Sequence, residues 1–119
     1  MHTARRVLVI CRNSAGEGPR AREALDIALA FGAFDQPVTL LFCGEGVRNL
    51  VAGQAGEATH SLERLLGALP DYGIEPLLAD AQALAERGIR EEHLVGNCQL
   101  LGQDAVASLI SDNDLVFSA

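Results

Sequence analysis

The sequence predicts an α/β fold, a single three-layer domain over residues 1–119 with helices on both faces of a mostly parallel sheet of four to five strands. Short apolar runs rich in Val, Ile and Leu alternate with stretches of helical periodicity, the order that parallel sheets require. The continuous apolar run from Val38 to Cys43 is typical of a strand buried on both faces. At 119 residues the chain has the size of one domain, and no linker or internal repeat divides it.

The first half of the chain predicts two strands, each followed by a helix. Arg6 to Arg12 is a predicted strand, and Pro19 to Gly32 is a predicted helix with Pro at its start and Gly at its end. The second strand, Val38 to Cys43, precedes a predicted short helix from Glu45 to Val51. A glycine-rich loop is predicted for Ala52 to Ala58.

The second half continues the same alternation. Its clearest element is a helix from about Ser61 to Leu69, in which leucines recur at helical spacing before Pro70. The other predicted elements are a strand at Pro76–Ala79, a helix at Asp80–Gly88 with Asp80 as its N-cap, an ambiguous short strand at His93–Val95, a helix at Gln103–Ser111 and a strand at Leu115–Ser118.

Composition excludes several classes of function. The formal charge is −7, from 9 Lys+Arg against 16 Asp+Glu, and the chain contains no lysine, so we expect no direct binding to nucleic acid. Apolar runs stay far shorter than the ~20 residues that span a bilayer, and we expect a cytoplasmic protein without membrane contact. The odd number of cysteines lacks CxxC spacing, which indicates a reducing compartment and no metal site. No cofactor is predicted.

Three cysteines are the candidate reactive groups. Cys11 and Cys43 end the first two strands, where ligands and reactive groups gather in parallel sheets. Free cysteines in apolar runs are more often small buried hydrophobic residues, and we favour that interpretation for both. Cys98, which lies between Asn97 and Gln99, is the cysteine in polar surroundings and the better thiol candidate, although no base stands at a predictive spacing.

Two glycine-rich loops carry a weak signal for phosphate binding. They follow the first two strands, but neither matches GxGxxG, and each holds a carboxylate, Glu17 or Glu45, where an anion would bind. Ordinary turns are the favoured interpretation. Arg20 and Arg22, at the start of the first helix, are predicted to be solvated.

Three segments in order resemble the TusC/DsrF subunits of the DsrE/DsrF-like sulfur-relay family. The first is Ser14 with GPRAREALDIALAFGAFD from Gly18 to Asp35. The second is LLFCGEGVRNLVAGQ from Leu40 to Gln54, and the third is ADAQALAERGI from Ala79 to Ile89. The resemblance spans nearly the whole chain and rests on these three segments.

The resemblance implies a subunit of a TusBCD/DsrEFH-type sulfurtransferase complex. Such a complex is a heterohexamer with two copies each of TusB-like, TusD-like and TusC-like chains. It relays persulfide sulfur between upstream and downstream carrier proteins, toward 2-thiolation of the tRNA wobble uridine or in sulfur oxidation. The TusD-like sister has its acceptor cysteine after the third strand, a position that matches Asp80 here. The resemblance therefore implies an accessory subunit that is not itself catalytic.

Two alternatives remain open from the residues alone. One is a self-sufficient persulfide carrier that uses Cys98 or Cys11, and the other is a module that binds a nucleotide or another small molecule. If the chain is a subunit, the candidate interface residues are Val47, Arg48, Asn49, Leu50, Gly53 and Gln54. The leucine stripe of the helix ending at Leu69 is a weaker candidate, since such stripes more often face a core.

Overall fold

Five parallel strands form one sheet in the computed structural model, which describes residues 5–54 and 56–119. The strands are β1 (Val7–Cys11), β2 (Val38–Phe42), β3 (Leu77–Asp80), β4 (Cys98–Leu101) and β5 (Leu115–Ser118). The helices are α1 (Arg20–Ala33), α2 (Glu57–Ala68), α3 (Ala81–Glu86) and α4 (Gln103–Asp112). The predicted α/β fold is confirmed. No helix within the described residues is long and apolar enough to cross a membrane.

The strand order β4-β3-β2-β1-β5 decides which face each helix covers. From β1 to β4 the chain advances one strand at a time in one direction, and right-handed crossovers then place α1, α2 and α3 on the same face. The connection from β4 to β5 runs back across the sheet, so α4 covers the opposite face. The larger core lies under the first three helices, and a smaller core of five buried residues lies under α4: Leu8, Ile10, Leu41, Cys43 and Leu78.

Two predicted elements differ from the structure. The helix α2 begins at Glu57, inside the predicted glycine-rich loop. The prediction starts this helix too late because the first turn is polar and carries no apolar periodicity. The strand suggested at His93–Val95 is wrong, since Leu94 forms only an isolated antiparallel bridge with Val51. The fourth strand begins instead at Cys98, and its sequence CQLL contains no β-branched or aromatic residue that would have revealed it.

The segment Gly44–Leu50, a 3₁₀ helix, crosses the carboxyl end of β1 in close contact. A Cβ atom on Gly46 would overlap the carbonyl oxygen of Cys11 and lie 2.7 Å from its carbonyl carbon. Both atoms belong to the backbone of a fully buried strand, which cannot move aside. This crossing therefore requires glycine at position 46.

The substitution Gly46→Ala should lower the free energy of unfolding by about 3 kcal/mol, because the added methyl group overpacks a rigid strand end. Urea denaturation followed by circular dichroism measures the change. Gly67→Ala is the matched control: Gly67 lies in α2 with open space around it, and alanine there should stabilise by up to about 1 kcal/mol. Wild-type stability in Gly46→Ala would contradict the close crossing.

Candidate functional site at the carboxyl edge of the sheet

Arg12, Cys43 and Asp80 come together at the carboxyl edge of the sheet, where the sequence analysis placed the reactive groups. The charges of Asp80 and Arg12 both act on the Cys43 thiol. The Arg12 side chain is also fixed by Ser118 of the neighbouring strand β5, since its Nε donates a 2.7 Å hydrogen bond to Oγ of Ser118. This edge of the sheet is the candidate functional site.

Cys11 and Cys43 lie on neighbouring strand ends but face opposite sides of the sheet. The backbone N–H of Cys43 donates to the carbonyl of Cys11 over 3.0 Å. Cys11 pairs in register with Phe42, so the next residue, Cys43, points the other way. The Cys11 side chain accordingly belongs to the larger core and that of Cys43 to the core under α4. The two thiols therefore have no geometry for a disulfide.

All three thiols are held in the protonated form. Burial raises the pKa of Cys11 and of Cys98 from 9.0 to about 11, and the charge of Glu91 adds to the effect on Cys98. Burial also raises the pKa of Cys43, with the Asp80 charge adding and the Arg12 charge opposing. The thiolate is the nucleophilic form, so burial lowers the reactivity of each of these thiols at neutral pH.

Cys98, the better thiol candidate of the three, is only partly exposed. It is half-buried at the start of β4 and packs against the larger core. Its thiol donates a hydrogen bond of 3.0 Å to the carbonyl oxygen of Val95. Because the thiol is the donor, this hydrogen bond requires the protonated, neutral form of Cys98.

Asn49 is a buried polar residue that organises the loop after β1. Its side chain is 3% exposed, its Oδ1 accepts from the N–H of Ala15 at 2.8 Å, and its Nδ2 donates to the carbonyl of Asn13 at 2.9 Å. Nδ2 also lies 3.5 Å from Sγ of Cys11. From the sequence, Asn49 is predicted only as an interface residue, because a role that depends on burial leaves no periodic signal.

Asp80 ends β3 and caps α3, as predicted. Its Oδ1 accepts a 3.1 Å hydrogen bond from the backbone N–H of Gln82. The Gln82 side chain accepts in turn from Gln103 at the start of α4. The Asp80 carboxylate therefore caps a helix at the position that the resemblance matches to an acceptor cysteine.

The glycine-rich loops hold their carboxylates in internal contacts. Glu17 accepts from the backbone N–H of Ser14 at 2.7 Å. Glu45 binds Arg48 at 2.6 Å and Arg87 at 2.9 Å, and these two hydrogen bonds lower the pKa of its carboxyl group. Both carboxylates are thus engaged in contacts within the chain, which fits the interpretation of these loops as ordinary turns. Within residues 5–54 and 56–119, no group of His, Cys, Asp and Glu side chains is arranged to hold a metal ion.

The six candidate interface residues divide by burial. The side chains of Val47, Asn49 and Leu50 are buried within this chain. Arg48 and Gly53 are exposed, and Gln54 is half-buried.

Two contacts fix the exposed part of this segment. Nε2 of Gln54 donates to the carbonyl of Arg48 at 2.7 Å, and the N–H of Gly53 donates to Glu63 at 2.9 Å. An interface role for Arg48, Gly53 and Gln54 stays a prediction.

The leucine stripe of α2 belongs to the core. Leu62, Leu66 and the following Leu69 are buried, and Leu65 packs against them. The core interpretation favoured by the sequence is confirmed.

Comparison with known proteins decides the family. The DsrE/DsrF-like family matches residues 5–119. A TusC homologue of Pseudomonas aeruginosa is 43% identical over 114 residues, which cover 94% of this chain and 96% of the relative. The chain belongs to the DsrE/DsrF-like family.

Other relatives agree with this membership. A TusC homologue of Vibrio parahaemolyticus is 33% identical, covering 78% of this chain and 81% of the relative. The intracellular sulfur oxidation protein DsrF of Allochromatium vinosum is 29% identical, covering 82% and 84% respectively. The crystal structure of the YchN protein of E. coli shares the fold, with a TM-score of 0.77 at 17% identity over 98% of this chain and 100% of that one.

The three thiols of this DsrE/DsrF-like chain should react slowly with alkylating reagents at pH 8. A pKa about two units above the ordinary thiol value leaves roughly a hundredfold fewer thiolates for Cys11 and Cys98. The rate of iodoacetamide labelling, read by mass spectrometry, should rise with pH and continue to rise beyond pH 10. The chain unfolded in urea is the control and should label rapidly. Rapid labelling of the folded chain at pH 8 would contradict the assignment.

Proposed function

We propose that this chain is an accessory subunit of a TusBCD/DsrEFH-type sulfurtransferase complex. In this proposal it is a single-domain cytoplasmic subunit that assembles with TusB-like and TusD-like sisters, two copies of each, into a heterohexamer. The complex takes persulfide sulfur from an upstream carrier and passes it to a downstream carrier. The chain supplies structure and contact surface, and the sulfur is carried on a sister subunit.

The observation that carries this proposal is the chemistry of the position after β3. A cysteine there would lie at the start of a helix, where the helix dipole favours a thiolate. Asp80 uses the same field to cap α3 and cannot carry a persulfide. The three cysteines present are protonated, and none has an activating base in contact among the hydrogen bonds described.

The degree of likeness favours tRNA 2-thiolation as the pathway served. The TusC homologue of Pseudomonas aeruginosa is 43% identical over 94% of this chain, whereas the sulfur oxidation protein DsrF is 29% identical over 82% of it. The formal charge of −7 also fits a subunit that leaves tRNA binding to other proteins. We therefore propose that the relay ends at the tRNA wobble uridine.

Co-expression with the TusB-like and TusD-like proteins of the same genome tests the assembly. Size-exclusion chromatography with light scattering should give one particle with two copies of each chain, and wobble-uridine 2-thiolation should depend on it. Elution of this chain apart from its proposed sisters would overturn the proposal.

Substitution of Asp80 tests the accessory role. Asp80→Ala should lower the free energy of unfolding by about 1 kcal/mol through loss of the cap, yet leave 2-thiolation by the assembled complex at the wild-type rate. Asp80→Asn, which keeps a capping oxygen, is the control for stability. Loss of thiolation in a folded, assembled Asp80→Ala complex would contradict a purely structural Asp80.

A further inference from the structure

The last part of the chain is rich in apolar residues that this chain alone does not bury. Between residues 85 and 119 no residue is classed as buried, and α4 has no buried residue, whereas α1 has four. Ile110 on α4 and Val116 on β5 are 39% and 42% exposed. Exposed apolar residues on a helix and on an edge strand indicate a surface that another molecule covers.

The helix α4 covers only the middle of its face of the sheet. Val106 and Leu109 pack on the smaller core. To one side lies Val116, which pairs with Leu8 and therefore points toward α4's face of the sheet. To the other side a groove of about 430 Å³ runs over β2, β3 and β4, with Leu101 and Ala105 among its lining residues. We call this surface, the groove together with α4 and Val116, the α4 face.

The charged residues of the groove and of α4 are all negative. Glu75 and Asp112 line the groove, and none of its lining residues is basic. The helix α4 itself carries Asp104 and Asp112 and no Arg. An occupant with positive charge around an apolar centre would complement this surface.

We propose that the α4 face is the docking surface for a different protein, one whose contact surface has an apolar centre and a basic rim. A second copy of this chain fits poorly. A two-fold contact uses the same patch on both partners, which would bring the acidic groove of one copy against the acidic groove of the other in two chains of charge −7. This inference rests on the proposed function, because it assigns the α4 face to a sister subunit of the complex.

Binding of the co-purified TusB-like and TusD-like subunits to variants of this chain tests the inference. Ala105→Trp fills the groove from an exposed position of α4 and should weaken binding by about tenfold or more. Ala30→Trp is the matched control, an exposed alanine on α1 at the other face of the sheet, and should bind as wild type. Thermal unfolding of each variant alone verifies its fold, and Ser108→Arg, also in the groove, replaces Ala105→Trp if that variant does not fold.

Charge reversal tests the basic rim of the partner. Asp112→Arg should weaken binding at low salt and differ less from wild type at high salt. Asp71→Arg, an exposed reversal outside the groove, is its control and should leave binding unchanged.

The outcomes separate the docking surface from the proposed function. If wild type binds the sister subunits and the folded groove variants bind equally well, the α4 face is overturned while the proposed function stands. If wild type does not bind them at all, both are overturned. If wild type alone forms a dimer that Ala105→Trp converts to a monomer, the occupant is a second copy and the inference of a different protein is overturned.

Discussion

Gly46 packs directly on the carbonyl group of Cys11, and the arrangement of the whole carboxyl edge depends on that contact. It brings the segment Gly44–Leu50 across the end of β1, so that Asn49 becomes buried. The Asn49 side chain then satisfies the backbone of the loop after β1, at Asn13 and Ala15. Water is thereby excluded from the end of β1, and this exclusion is what raises the pKa of the Cys11 thiol.

The closed edge fits the proposed structural, rather than sulfur-bearing, role of this chain. Sulfur transfer needs a thiolate with access to a partner's persulfide. Here burial keeps Cys11, Cys43 and Cys98 protonated, and the helix start after β3 is occupied by the capping carboxylate of Asp80. At the same time the two sides of α4 leave apolar surface uncovered. A chain with buried, protonated thiols and an open, acidic groove fits the proposed role, in which it acts through its contacts with sister subunits.

Apolar periodicity, together with the Pro, Gly and capping residues at the ends of elements, predicted most of the fold. The apolar runs of β1 and β2 and the capped helices were recognisable because each is decided by residues adjacent in the chain. The strand β4 was missed because its four residues carry no strand propensity and are paired only through β3. The roles of Gly46 and Asn49 were also missed, since they depend on the backbone at the end of β1 and in the loop after it, more than thirty residues earlier. Resemblance predicted the family, and burial then showed which of the named residues face the core.

The location of sulfur within the assembled complex tests the account most directly. The complex of this chain with its TusB-like and TusD-like sisters would be loaded by a cysteine desulfurase with cysteine, through the upstream carrier, and each subunit weighed by intact mass spectrometry. The account predicts the added mass of one sulfur atom on the TusD-like sister and none on this chain. An added sulfur atom on this chain that disappears in Cys98→Ser or Cys11→Ser would contradict the accessory role and establish the chain as a persulfide carrier.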